Sequence, residues 1–127
     1  PTLTLHDATE PLPLSDASVD LLSMAAVLYT FRDPFTFLDD VRRVLKPGGY
    51  FLLYDWVRVP MADYISQREA EPGDDPPDRY PRALEMFASH NKYTLDDWLW
   101  VLEQGRFEII ADAAPHVRGH VWLLRPA

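Results

Sequence analysis

The 127-residue chain has no cysteine. A disulfide framework, a thiolate zinc site and a cysteine nucleophile are therefore excluded, and a cytoplasmic setting is the default expectation. Glycine is scarce. Gly48, Gly49, Gly73, Gly105 and Gly119 are the whole set, and they form neither a P-loop nor the G-x-S-x-G of a nucleophile elbow. Basic residues are also few: twelve Lys and Arg stand against twenty Asp and Glu, a formal charge of −8. A nucleic-acid backbone or an anionic membrane surface needs a basic patch, so neither is expected as a partner. The acidic balance serves solubility. No apolar run approaches the roughly 18 residues of a membrane span, and no signal peptide is visible. His116 and His120 are four apart, but on a strand or loop that spacing does not bring two imidazoles together as a helix would. With no carboxylate partner evident beside them, no metal site is expected.

What is present has the makeup of one globular domain, 1–127, with 47% hydrophobic residues and 13% aromatics. A chain of this length buries roughly two thirds of its unfolded surface. The run Val41–Asp55, VRRVLKPGGYFLLYD, organises it. Phe37, Leu38, Val41, Val44 and Leu45 recur at helical spacing and share a face. Asp33 stands at the N-cap position and Pro34 at the first helical position. Lys46 falls at the negative end of the helix dipole. Pro47 ends the helix, and Gly48-Gly49 permits a tight reversal. Tyr50–Tyr54 then runs without polar interruption, the signature of a strand buried on both faces of a helix-covered parallel sheet.

The segment Leu12–Trp56, LPLSDASVDLLSMAAVLYTFRDPFTFLDDVRRVLKPGGYFLLYDW, resembles the second half of a class I S-adenosylmethionine-dependent methyltransferase. In that family a loop of the type LPF-D-x-S-F-D leads into strand 4, and a helix ending R-V-L-K-P-G-G leads into strand 5. The resemblance implies an α/β fold: a partial Rossmann-like sheet, with strands equivalent to 3-4-5-6-7, flanking helices and an antiparallel last strand. It implies S-adenosyl-L-methionine as cofactor and a small-molecule methyl acceptor.

In chain order, Thr2–Leu5 reads as a strand. His6-Asp7-Ala8 follows at its carboxyl end, where ligands sit in open α/β sheets. The resemblance makes Asp7 and Ala8 adenine contacts; a local turn at Asp7 is the alternative. Val19–Met24 is a strand, with Asp20 facing a loop at the far end from the site. Ala25–Phe31 leaves the ligand edge, and by resemblance Met24 and Ala25 line the methionine part of the cofactor. Where many relatives carry a histidine pair, this chain has Tyr29-Thr30. Tyr29 is then a candidate base, although its pKa of about 10 must fall for work at neutral pH. An amine or thiolate acceptor needs no strong base, because positioning supplies much of the rate.

Asp55, Trp56 and Arg58 leave the sheet at the same edge. Asp55 is a candidate base or acceptor-orienting group, or alternatively a cap. Residues 57–93 fit the family's variable acceptor-side insert. Within it, Met61–Glu69 reads as a short helix, Glu71–Pro81 as an irregular proline-rich loop, and Arg82–Ser89 as a helical turn. Trp56, Arg58, Tyr64, His90 and Tyr93 are the candidate substrate contacts, with Arg79, Tyr80, Phe87 and Asn91 beside them. Thr94-Leu95-Asp96-Asp97 is a capping box opening a helix to about Gln104, with Trp98, Val101 and Leu102 on one face. Gly105 is the expected left-handed cap. Strands Phe107–Ala111 and His120–Arg125, joined by a connection bracketed by Pro115 and Gly119, complete the set.

Five candidate strands stand where the family has seven. The glycine-rich G-x-G loop that cradles the methionine carboxylate and ribose is absent. The sequence opens on Pro1 rather than methionine, as a processed or partial chain would. The expectation is a C-terminal methyltransferase portion, inactive alone, that forms a homo-oligomer such as a dimer or pairs with a missing N-terminal half. The alternative is a non-catalytic methyltransferase-like module that binds a protein partner or itself. An exposed edge at Val19–Met24 is expected either way.

Overall fold

The computed structural model describes residues 1–69 and 79–127. Four strands form one sheet: β1 (Val19–Ala25), β2 (Leu45–Trp56), β3 (Phe107–His116) and β4 (Gly119–Pro126). Four helices accompany it: α1 (Pro34–Val44), α2 (Met61–Glu69), α3 (Arg79–His90) and α4 (Leu95–Gln104). The order across the sheet is β1-β2-β4-β3. β1 and β2 are parallel, and β4 lies antiparallel between β2 and β3. The antiparallel insertion of the last strand is as expected from the sequence.

α1 begins where the residues dictate. Asp33 accepts the backbone N–H groups of Phe35 and Thr36, satisfying two orphan donors, and Pro34 follows it. Phe37, Leu38, Val41 and Val44 are buried. Arg43 reaches back across the preceding loop, donating to the carbonyls of Leu12 and Leu14 and pairing with Asp16 and Asp40. Asp40 in turn accepts Leu12 N–H. Asp20 meets Lys46 at 3.3 Å at the amino end of β1. In α4 the capping box is complete, with Asp97 N–H on the Thr94 hydroxyl and Thr94 N–H on the Asp97 carboxylate. Trp98, Val101 and Leu102 face the core beside Phe51, Leu53, Trp122 and Leu124.

Several expectations are corrected. Thr2–Leu5 forms no strand; it is open chain with Leu3 and Leu5 fully exposed, because no neighbouring strand offers it a ladder. The count among described residues is therefore four strands. β2 is buried on one face only. Phe51 and Leu53 are covered, whereas Tyr50 and Leu52 are 39% and 36% exposed, because the packed core lies on a single face of the sheet. β2 starts at Leu45, before the glycines, and the register jump opposite Val19–Leu21 bulges 46–49 out of the ladder. Gly48 takes φ +80 in that bulge.

Gly105 is not left-handed. Its φ is −72, and Arg106 takes the positive φ of 61 instead. Glycine is needed at 105 because a Cβ there would stand 2.5 Å from Leu38 Cδ1, so it lets α4 approach α1. α3 is three turns long and takes in 79–81, since proline is tolerated in a first helical turn. Stretch 71–78 lies outside the described residues. β3 continues through Pro115, which an edge strand permits. No helix among the described residues is long and apolar enough to cross a membrane.

Candidate active site

Because β1 and β2 run parallel, Ala25 and Trp56 end at one edge. The antiparallel β3–β4 hairpin brings His116 and Gly119 to the same edge, with Gly119 opposite Trp56. Ala26 leaves β1 with φ 55 and donates its N–H to Tyr54 O at 2.8 Å. A left-handed alanine costs about 1–2 kcal/mol, and such strain gathers where a backbone must take a set shape. A 3-10 turn, Leu28–Thr30, follows.

Asp55 governs this turn. It is fully buried on the core face, and its carboxylate accepts Tyr29 N–H at 3.2 Å and Trp56 N–H at 2.8 Å. Burial pushes its pKa up to about 6, against the opposing pull of the Trp56, Tyr29 and Leu28 N–H groups. With both oxygens spent on backbone donors, Asp55 has the placement of a positioning group that ties the end of β2 to the turn after β1. Lys92, just after α3, clasps the same turn, donating to the Tyr29 and Phe31 carbonyls at 3.1 and 3.0 Å.

Residues from 57 to 93 that the structure describes fold over this edge. Asn91 behaves like a strand residue toward Val59, accepting its N–H and donating to its carbonyl. Val59, Tyr64 and Ala83 form a small second core between α2 and α3. The His90 ring stacks on Trp56 at 4.7 Å and 14° and meets the Tyr29 edge at 5.8 Å. The Arg118 guanidinium lies over both Trp56 and Tyr64. The Trp56 carbonyl accepts the Trp98 indole N–H.

Of the residues singled out from sequence, Tyr29, Asp55, Trp56, Tyr64 and His90 converge here. Met24 points its side chain into the core, while Ala25 faces the uncovered side. Tyr93 packs on Trp98 at 4.8 Å, away from the cluster, and Arg58 is exposed. Phe87 packs on Tyr64 in the second core. The side chains of Arg79 and Tyr80 lie outside what the structure describes. Asp7 makes a local turn, its Oδ1 accepting the Thr9 N–H and hydroxyl, and those bonds lower its pKa. Ala8 lines a cleft of about 790 Å³ between the first loop, Thr30–Asp33 and the start of α1. His120 has a carboxylate partner after all, Asp112 at 2.7 Å, brought beside it by the β3–β4 register.

Sequence reasoning missed Tyr54, His116 and Arg118. Tyr54 was absorbed into an apolar strand, and the other two lie near the hairpin tip, whose register is invisible until β3 and β4 pair.

Residues 2–53 match the family model for the methyltransferase domain. The chain is similar to a ubiquinone/menaquinone biosynthesis C-methyltransferase of Acidiphilium cryptum, 43% identical over 53 residues. It is similar also to a dimethylglycine N-methyltransferase of Parasynechococcus marenigrum, 46% identical over 55 residues. Each alignment takes in 42% of this chain, and 21% and 19% of those relatives. A SAM-dependent methyltransferase from Aquifex aeolicus superposes on 98% of the chain with a TM-score of 0.61 at 20% identity, and 53% of that protein is covered. The fold is thus that of this solved methyltransferase, the family model matches the first part of the chain, and the chain spans about half the length of that solved relative.

Proposed function

We propose that this chain is the acceptor-side part of an S-adenosylmethionine-dependent methyltransferase for a small molecule. The observation that carries the reading is the ligand edge: a strained Ala26 and a 3-10 turn clasped by Asp55, at the carboxyl ends of two parallel strands. When bound, the cofactor supplies an electrophilic methyl group on a sulfonium. Ala25 and Ala26 fit its approach, because their methyl side chains leave the edge open, and Ala8 fits a place beside the adenine. No G-x-G cradle exists in the sequence for the carboxylate and ribose. The residues present therefore fit part of the cofactor, and the remainder falls to an N-terminal half docked on the open side of the sheet.

That open side supports the pairing. Leu21, Tyr50, Leu52 and Ile110 are exposed there, and the outer edge of β1 has no neighbour among the described residues. The same surface also favours a second reading, a non-catalytic module that binds a partner protein or itself through it. The discriminating experiment is a thermal-shift titration with S-adenosylhomocysteine, on this chain and on any longer native form. Ligand at about one hundred times its dissociation constant adds about 2.7 kcal/mol to the form that binds it. A response from the longer form alone is the expected result. No response from either form would leave the module reading.

A further inference from the structure

On the uncovered face of the sheet, Tyr54 Oη lies 2.7 Å from His116 Nε2. Tyr54 comes from β2 and His116 from the end of β3, so two strands that are not neighbours in the sheet meet through these side chains. The strand between them makes room. A Cβ at Gly119 of β4 would stand 2.5 Å from His116 Cε1, 2.7 Å from its Nε2 and 2.7 Å from Tyr54 Oη. Gly119 is thus the floor on which the pair rests, and no other residue fits beneath it without moving both rings.

Ala25 is the neighbour of Tyr54 across the β1–β2 ladder, on the same face. The phenol therefore stands beside the small residues of the ligand edge, not deep in the protein. Trp56 flanks both members, its ring 5.7 Å from Tyr54 and 6.0 Å from His116. Burial raises the Tyr54 pKa; Arg118 opposes that rise and Asp55 adds to it. Asp55 itself is on the other face of the sheet and already engaged, so it does not compete for a proton at this place.

We infer that Tyr54 and His116 form a proton-accepting pair for an acceptor with a weakly acidic aromatic hydroxyl, a phenol. The proposal rests on the methyltransferase reading above and names the acceptor class for that site. The aromatic surroundings of Trp56 suit an aromatic ring. Tyr54 is neutral before and after such a relay, so the burial that raises its pKa does not oppose passing a proton through it. In the step, the acceptor O–H bond breaks and its proton passes to Tyr54 Oη. The proton that Tyr54 held moves to His116 Nε2. An acceptor phenolate and an imidazolium remain, with no oxidant or reductant required.

The probe is 4-nitrophenol, whose phenolate has its own visible absorption band. The full chain, Tyr54→Phe, His116→Gln and Gly119→Ala are each titrated at a pH where the free phenol is mostly protonated. Tryptophan quenching reports binding separately, and thermal melts confirm folding. The expected result is a several-fold rise in the phenolate fraction on binding to the parent chain. Tyr54→Phe and His116→Gln should bind the probe yet lose that rise, and Gly119→Ala should lose it by displacing the pair. Binding without ionisation in the parent, equal ionisation in the variants, or no binding at all overturns the proposal. The S-adenosylhomocysteine titration needs no phenol, so a surviving cofactor response beside a failed phenolate test would discard the pair and leave the methyltransferase reading standing.

Discussion

The carboxylate of Asp55 accepts the backbone N–H of Tyr29 at 3.2 Å, 26 residues earlier in the chain. A buried acid thus sets the shape of the turn on which the proposed cofactor site depends. Its folded pKa of about 6 lies above the ordinary carboxylate value, so the folded state binds the proton more tightly than the unfolded state. The contribution of this group to stability is therefore largest below the unfolded pKa and is lost as pH rises through about 6. The full effect is at most on the order of 3 kcal/mol. Asp55→Asn should abolish this part of the pH dependence. Thermal melts of both proteins between pH 5 and 7 check it: the difference between their stabilities should change across that window.

Gly105 and Arg106 make a contrasting pair at the end of α4. Gly105→Ala puts a methyl into Leu38 at an ordinary φ, and should destabilise by about 1–3 kcal/mol through overpacking. Arg106→Gly removes a left-handed side chain at φ 61 and should be neutral or stabilising by up to about 1 kcal/mol. Urea denaturation of the two variants gives opposite signs if the glycine serves close approach and not conformation.

Asn91 holds the end of α3 to the segment after β2 by two bonds to Val59. Asn91→Ala strands a buried donor and acceptor together and should cost about 2 kcal/mol or more. Asn91→Asp keeps the acceptor for Val59 N–H but loses the donor, so its loss should be intermediate at neutral pH. Hydrogen exchange at Val59 is the direct readout.

The uncovered face gives a test of association. Leu21→Arg with Leu52→Arg places two charges where the proposed half-domain or second copy would dock. Stability of the chain alone should change little, because both side chains already face water. Light scattering after size exclusion should show any oligomer, or any complex with a longer partner, weakened at least tenfold.

Much of the fold was legible because its signals are local. Asp33-Pro34, the Thr94–Asp97 box and the spacing of Trp98, Val101 and Leu102 each act within one or two turns. Errors arose where a neighbour outside the local window decides the outcome. Thr2–Leu5 has strand composition but no partner strand. Gly105 carries the expected residue for an unexpected reason, since Leu38 lies far away in sequence. Tyr50–Tyr54 reads as doubly buried because composition reports what a strand is suited to, not what covers it. In the site, residues following β1 and β2 were found because parallel strands send them to one edge. Tyr54 with His116, and His120 with Asp112, escaped notice because each pairing depends on the register of the β3–β4 hairpin.

β4 lies inside the sheet although it is the last strand along the chain, and β3 joins the sheet only through it. During synthesis, Phe107–His116 has no strand to pair with until Gly119–Pro126 has emerged. Loss of those eight residues would therefore detach two strands and not one, leaving β2 with β1 alone. Both ladders of β4 consequently close late, and a ribosome stalled short of Gly119 would release a protein whose β3 has no partner strand among the described residues.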